Sequence, residues 1–176
     1  MTSRAEFIEL NKNIHDRNTF DCGENSLNFF IKNQASKHMQ VGISKTMIFP
    51  DIALQENKKY KICAFYTIAP SSIKRESLPA KLAKNLPHYP VPVFLLAQMA
   101  IHIDYQEKGL GKITLIKALQ YLWQVNSQMT AYAIVVDCLN EKVEQFYTKY
   151  GFETLCDYNG KTRMYLSMKA VNSLFT

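Results

Sequence analysis

VFLLAQMAIHI (93–103), DYQEKGLGK (104–112) and ITLIKALQYLWQV (113–125) follow one another in the chain, and their reading decides the fold. The first is the most hydrophobic strand-like run present, as a central strand covered on both faces requires. The third, with Leu110, repeats apolar residues at Ile113, Ile116, Leu119, Leu122 and Trp123, the spacing of a helix over 109–125. Between them, Gly109 and Gly111 form a loop where backbone N–H groups can converge without Cβ obstruction, and the following helix N-terminus adds partial positive charge. Strand, glycine loop and helix in this order predict an α/β (α+β) fold; the loop geometry suits a pyrophosphate, although a lone GxG by itself reads as a turn of the chain into the helix. It is not a Walker loop, because no GxxxxGK[ST] occurs, and GLG lacks the third glycine of GxGxxG.

Outward from this junction the pattern alternates. DCGENS (21–26) supplies cap residues for a helix with Leu27, Phe30, Ile31 and Ala35 on one face, running to about Met39. KTMIF (45–49) reads as a strand stopped by Pro50 and Asp51, and YKICAFYTI (60–68) as its hairpin partner across the charged turn 55–59. The segment 77–92 is basic and punctuated by Pro79, Pro87, Pro90 and Pro92 around a short helix-prone run. AYAIVV (131–136) reads as a buried strand, 141–150 as a helix closed by Gly151, and 162–168 as a terminal strand.

The 176 residues contain 47% hydrophobic and 20% charged residues, which excludes a disordered or low-complexity chain and fits one domain over 1–176. A net charge of +6 favours an anionic partner. The apolar run 91–103 is interrupted by Pro92, Gln98 and His102 and is shorter than the roughly 20 residues that cross a bilayer, so no membrane role is expected. No signal peptide is visible. Cys22, Cys63, Cys138 and Cys156 form no CxxC pair, which argues against a metal site and fits a reducing, cytoplasmic setting.

QEKGLG (106–111) after the central strand resembles the acetyl-CoA loop of the GNAT N-acetyltransferase superfamily, and Asn140 with EQFYTKYGF (144–152) resembles its downstream FY-x-x-x-GF element. FDCG (20–23) with Leu27, AFYTI (64–68), the Leu-Pro pairs at 78–79 and 86–87, and PVP (90–92) leading into LLAQMAI (95–101) are similar to a narrower group. These are the GNAT toxins of toxin–antitoxin pairs, which acetylate the amino group of charged tRNA.

The resemblance implies a single GNAT-like domain whose mixed central sheet has splayed central strands flanked by helices. It places Met99, Ala100 and Ile101 where strand backbone meets the pantetheine arm, with their side chains expected in the core. Gln106, Glu107, Lys108, Gly109, Leu110 and Gly111 would hold the pyrophosphate, Lys108 helping to neutralise it and Glu107 pointing outward, and Asn140 and Phe146 would flank the thiol end. Tyr147 matches the family's general acid, which protonates the coenzyme A thiolate as the tetrahedral intermediate collapses. A phenol suits the role because its pKa lies near that of a thiol. Taken alone, Tyr147 would read as helix packing; the surrounding motif reverses that preference.

No general base is evident. His102 and Asp104 lie near the loop, His102 is expected at the surface or behind the site, and proton removal from the weakly basic aminoacyl amine is left to water. One departure concerns the substrate: the toxin group usually carries a basic residue where this chain has Gln98 and an acidic one where it has His102. Lys74, Arg75, Lys81 and Lys84 are the candidate tRNA contacts, with Lys32 and Lys37 on the first helix. An antitoxin protein is the expected partner, and a homodimer an additional one. A protein amine or a metabolite amine stands as the other acceptor. A coenzyme A-binding subunit without catalysis, or a DNA-binding one, is the reading from another class; Tyr147 and the loop oppose the first, and the lack of a helix-turn-helix pattern opposes the second.

Overall fold

The computed structural model describes residues 6–176. In chain order the elements are β1 (Ile8–Glu9), β2 (His15–Asp16), α1 (Asn25–Phe29), a π-helical turn (Phe30–Gln34), α2 (Ala35–Gln40), β3 (Lys45–Leu54), β4 (Tyr60–Ile73) and α3 (Ala80–Ala83). Then come β5 (Val91–Ile101), α4 (Leu110–Asn126), β6 (Ala133–Cys138), α5 (Glu141–Lys149), β7 (Glu153–Tyr158), β8 (Lys161–Ser167) and α6 (Met168–Phe175). Two compact units divide the chain: the described residues up to Ala69 with Gln98–Ala118, and Pro70–Ala97 with Leu119–Thr176.

In the first unit β3 pairs antiparallel with β1 and with β4, and β2 pairs parallel with β4. Its core gathers Leu10, Phe20, Phe30, Ile31, Ala35, Ile48, Ile62, Phe65 and Ala100. The helical face predicted from Leu27, Phe30, Ile31 and Ala35 is therefore the buried one, although a π-turn interrupts the helix. Contrary to expectation, β3 does not stop at Pro50. The strand carries register shifts on both sides of that residue and continues to Leu54. Because β1 covers β3 only at Met47 and Ile48, an N–H missing at Pro50 costs no partner on that edge.

In the second unit β5 and β6 are parallel, with a ladder that ends at Leu95↔Val135, while β8 pairs antiparallel with both β6 and β7. Ile73, Leu78, Ala83, Val91, Val93, Ala133, Val135 and Tyr165 form its core. Two elements were not anticipated. β7 and β8 make a hairpin across Asn159 and Gly160, both with positive φ (51° and 78°), the dihedrals of a two-residue type I′ turn. The terminal strand ends at Ser167, whose hydroxyl caps α6 by accepting from the Ala170 N–H at 3.1 Å. Met168 and Val171 bury the inner face of α6, and Trp123 holds its outer end through a 3.1 Å bond to Asn172 and a ring contact with Phe175.

Candidate active site

The glycine loop belongs to the first unit. β5 ends at Ile101, a short turn covers 103–105, and α4 begins at Leu110, so residues 106–109 form the bend. Among the described residues, none accepts a hydrogen bond from the backbone N–H of any residue from Glu107 to Lys112. The next N–H, that of Ile113, bonds to the Gly109 carbonyl at 3.3 Å. Six consecutive main-chain donors are thus free where the helix dipole is positive, which is the chemistry that phosphate oxygens require.

The bend is made by Glu107 (φ +60°) and Gly109 (φ +82°). Gly111 sits inside the first turn of α4 with a helical backbone, so of the two loop glycines only Gly109 holds a left-handed conformation, and backbone strain on replacement is confined to it.

Gln106 does not offer its side chain to an anion. Its Nε2 donates to the carbonyl oxygens of Cys22 at 2.9 Å and Ile101 at 2.8 Å. The Lys108 ammonium is folded back onto the Asp104 carbonyl at 3.0 Å, and Glu107 is exposed, as expected. Ala100 is buried while Met99 and Ile101 are half-buried, which places their side chains largely in the packing.

The turn at 20–23 supports this loop, a role its sequence did not announce. Asp21 accepts from the Gly23 N–H at 2.8 Å and from the Asn28 side chain at 2.9 Å, and Asn28 in turn accepts from the Cys22 N–H. The Asp21 carbonyl takes the Ile103 N–H at 2.8 Å. Both ends of the 103–106 stretch are thereby fastened to one Asx-type turn, with Gly23 at φ +86°.

His102 is buried (5% exposed), so it is not a surface group. Its Nδ1 accepts from the Asp104 N–H at 3.1 Å and its Nε2 faces the Thr19 carbonyl at 3.4 Å, a pattern that needs the neutral Nε2–H tautomer. With both nitrogens engaged, it holds backbone rather than serving as a base. Asp104 is exposed and paired with Lys61 at 2.6 Å, and that ammonium holds its carboxyl below the usual range.

The second unit carries Asn140, Phe146 and Tyr147. Asn140 is the N-cap of α5, its Oδ1 accepting from the Val143 N–H at 3.0 Å. Tyr147 is 6% exposed, and among the described residues its hydroxyl has no hydrogen-bond partner. Burial, and to a lesser extent nearby Cys138, raises its pKa above the ordinary phenol value. A phenol so placed keeps its proton at neutral pH, and the same burial makes it a weaker acid than an ordinary phenol. Phe146 is half-buried with its ring centroid 5.2 Å from that of Tyr147. Lys74, Lys81 and Lys84 of the same unit are exposed, while Arg75 is half-buried and donates its Nε to the Leu86 carbonyl at 3.1 Å, holding the proline-rich segment.

The family profile "Acetyltransferase (GNAT) family" matches residues 80–152, the stretch that holds the loop and α5. A protein described as "Probable toxin TacT", from Sinorhizobium fredii (strain NBRC 101917 / NGR234), is 27% identical over 173 residues, 94% of this chain and 92% of that protein. The solved structure of AtaT complexed with acetyl-methionyl-tRNAfMet is similar with a TM-score of 0.84 at 25% identity, covering 97% of this chain and 99% of that one. That of AtaTR bound with AcCoA has a TM-score of 0.83 at 25% identity over 97% and 98%.

Proposed function

Since the chain carries a GNAT acetyltransferase domain and is homologous to toxin acetyltransferases of toxin–antitoxin systems, we propose that it transfers acetyl from acetyl-CoA to the amino group of aminoacyl-tRNA. Residues 1–176 then act as one catalytic domain in the cytoplasm, restrained by an antitoxin protein. The observation that carries acetyl-CoA binding is the run of six free N–H groups from Glu107 to Lys112 at the start of α4. Acetyl-CoA supplies an activated acetyl thioester and two adjacent phosphates that fit such donors.

This chain's own residues do the rest. The amides of 107–112 receive the pyrophosphate, with Gln106 holding the bend in shape rather than touching the anion. Backbone at Met99 and Ala100 takes the extended arm, while the Ile101 carbonyl is already committed to Gln106. Tyr147 holds a proton at its hydroxyl for the departing thiolate, and burial keeps that proton in place until the thiolate appears. Lys74, Lys81 and Lys84 offer exposed cations to an anionic acceptor, and the tRNA-bound relative supports that acceptor.

The test is incubation of purified protein with labelled acetyl-CoA and three acceptors in parallel: a pool of charged tRNAs, a lysine-rich protein and a set of small amines. Label on charged tRNA, lost after deacylation of the ester, is the expected result. Label only on protein or small amines overturns the tRNA assignment, and label nowhere overturns the enzyme.

A further inference from the structure

Resting on the reading of Tyr147 as the acid, we propose that Gly151 and Phe152 are positioning residues for the chemical step, holding the Tyr147 ring through one helix-ending motif. α5 closes with three bonds: the Tyr150 N–H donates to the Tyr147 carbonyl at 3.0 Å, the Gly151 N–H to Thr148 at 3.1 Å, and the Phe152 N–H to Tyr147 at 3.1 Å. With Gly151 at φ +93°, the last two are the paired bonds of a Schellman cap. That cap brings the residue after the glycine back over the residue three from the helix end. Here those two residues are Phe152 and Tyr147, with ring centroids 5.1 Å apart at 63°.

The acid's ring is therefore wedged edge-on between Phe152, which is 2% exposed, and Phe146, whose ring stands at 79° to it. A tyrosine side chain has two torsions, and a ring fixed in both leaves its hydroxyl one position along a helix that the cap also terminates. The spacing FY-x-x-x-GF acquires a mechanical reason: tyrosine, glycine and phenylalanine must be four and then one residue apart for cap and ring contact to coincide. An added Cβ at Gly151 would meet Leu166 Cδ1 at 3.7 Å, an ordinary contact, so replacement there acts through φ rather than through crowding.

A double-mutant comparison with Tyr147→Phe tests this, using single-turnover acetylation of a charged-tRNA pool with enzyme in excess. Phe152→Leu and, separately, Gly151→Ala are made in the wild-type and Y147F backgrounds, with folding followed by circular dichroism and acetyl-CoA affinity by calorimetry. The expected result is a loss in rate on the order of tenfold in wild type, since small misplacements of a reacting group are costly. In Y147F, where no hydroxyl remains to be positioned, the same substitutions cost less than about twofold. Acetyl-CoA affinity stays within about twofold throughout. Equal losses in both backgrounds, or no loss in wild type from either folded variant, overturn the positioning role. A Y147F protein as fast as wild type overturns the acid itself, and with it this inference, by a result the other arms do not give.

Discussion

Gln106 donates its side-chain amide to the Cys22 carbonyl at 2.9 Å, joining two residues 84 apart in sequence at the start of the 106–109 bend. The same nitrogen reaches the Ile101 carbonyl, so one amide clamps the end of β5 to the turn at 20–23. Gln106→Leu leaves two carbonyls without their donor and frees the bend. Each bond in so exposed a place is worth about 1 kcal/mol or less, and acetyl-CoA affinity should fall about three- to tenfold while the melting temperature changes little. Calorimetry decides it, and a Q106E protein, whose carboxylate faces the same carbonyls, should bind no better than Q106L.

Gly109 and Gly111 should separate two effects. Gly109→Ala forces a side chain into φ +82°, at a cost of about 1 kcal/mol in stability, although space around the new Cβ is open. Gly111→Val keeps an ordinary helical backbone and carries no propensity penalty, valine being the better helix former of the two, yet sets two methyl groups among the free amides. Acetyl-CoA binding by G111V should fall more than tenfold, and unchanged binding by the folded variant removes the loop from the site.

Tyr147→Phe deletes one hydroxyl and keeps both ring contacts. A general acid is typically worth 10²–10⁴-fold in rate, so turnover should drop by roughly that factor with acetyl-CoA affinity near wild type. Because burial raises the Tyr147 pKa, its proton is retained across neutral and mildly alkaline pH. Any fall in wild-type kcat below about pH 9 therefore has to arise from another group, and should persist in Y147F.

The exposed Lys81 and Lys84 test the acceptor. Neutralising phosphates releases counterions, so the affinity for tRNA should fall steeply with salt, and the slope should flatten in the Lys81→Glu, Lys84→Glu double variant. Acetylation of a minimal aminoacyl ester should remain within about twofold, because surface charge reversal perturbs little else. Equal activity of wild type and variant on charged tRNA across the salt series removes this segment from the tRNA surface.

His15 sets a pH limit on stability. It is 1% exposed and accepts the Asn11 N–H on Nδ1 at 2.9 Å, and burial lowers its pKa below the usual 6.5. The unfolded chain thus binds the proton first: this stabilisation is whole above about pH 6.5 and is lost as pH falls toward the folded value. The melting temperature should drop between pH 7 and pH 5, and His15→Gln should flatten that slope; an unchanged slope assigns it elsewhere.

What the sequence determined by itself lies where local chemistry is decisive. A glycine loop between a continuous apolar run and an amphipathic stretch already specifies strand, bend and helix, and the FY-x-x-x-GF spacing specifies a helix that ends at Gly151. The Asn159-Gly160 turn is equally a matter of local chemistry, because two positive φ values in succession favour that pair. Only the tertiary structure decided which polar groups are taken and which are left free. Gln106 in a phosphate loop reads as an anion contact until the Cys22 carbonyl is seen beside it. His102 looks available until burial and two backbone partners engage it. Hydrogen bonding between residues distant in sequence depends on how the backbone brings their atoms within 3 Å with the right direction, and periodicity and propensity carry no record of that geometry.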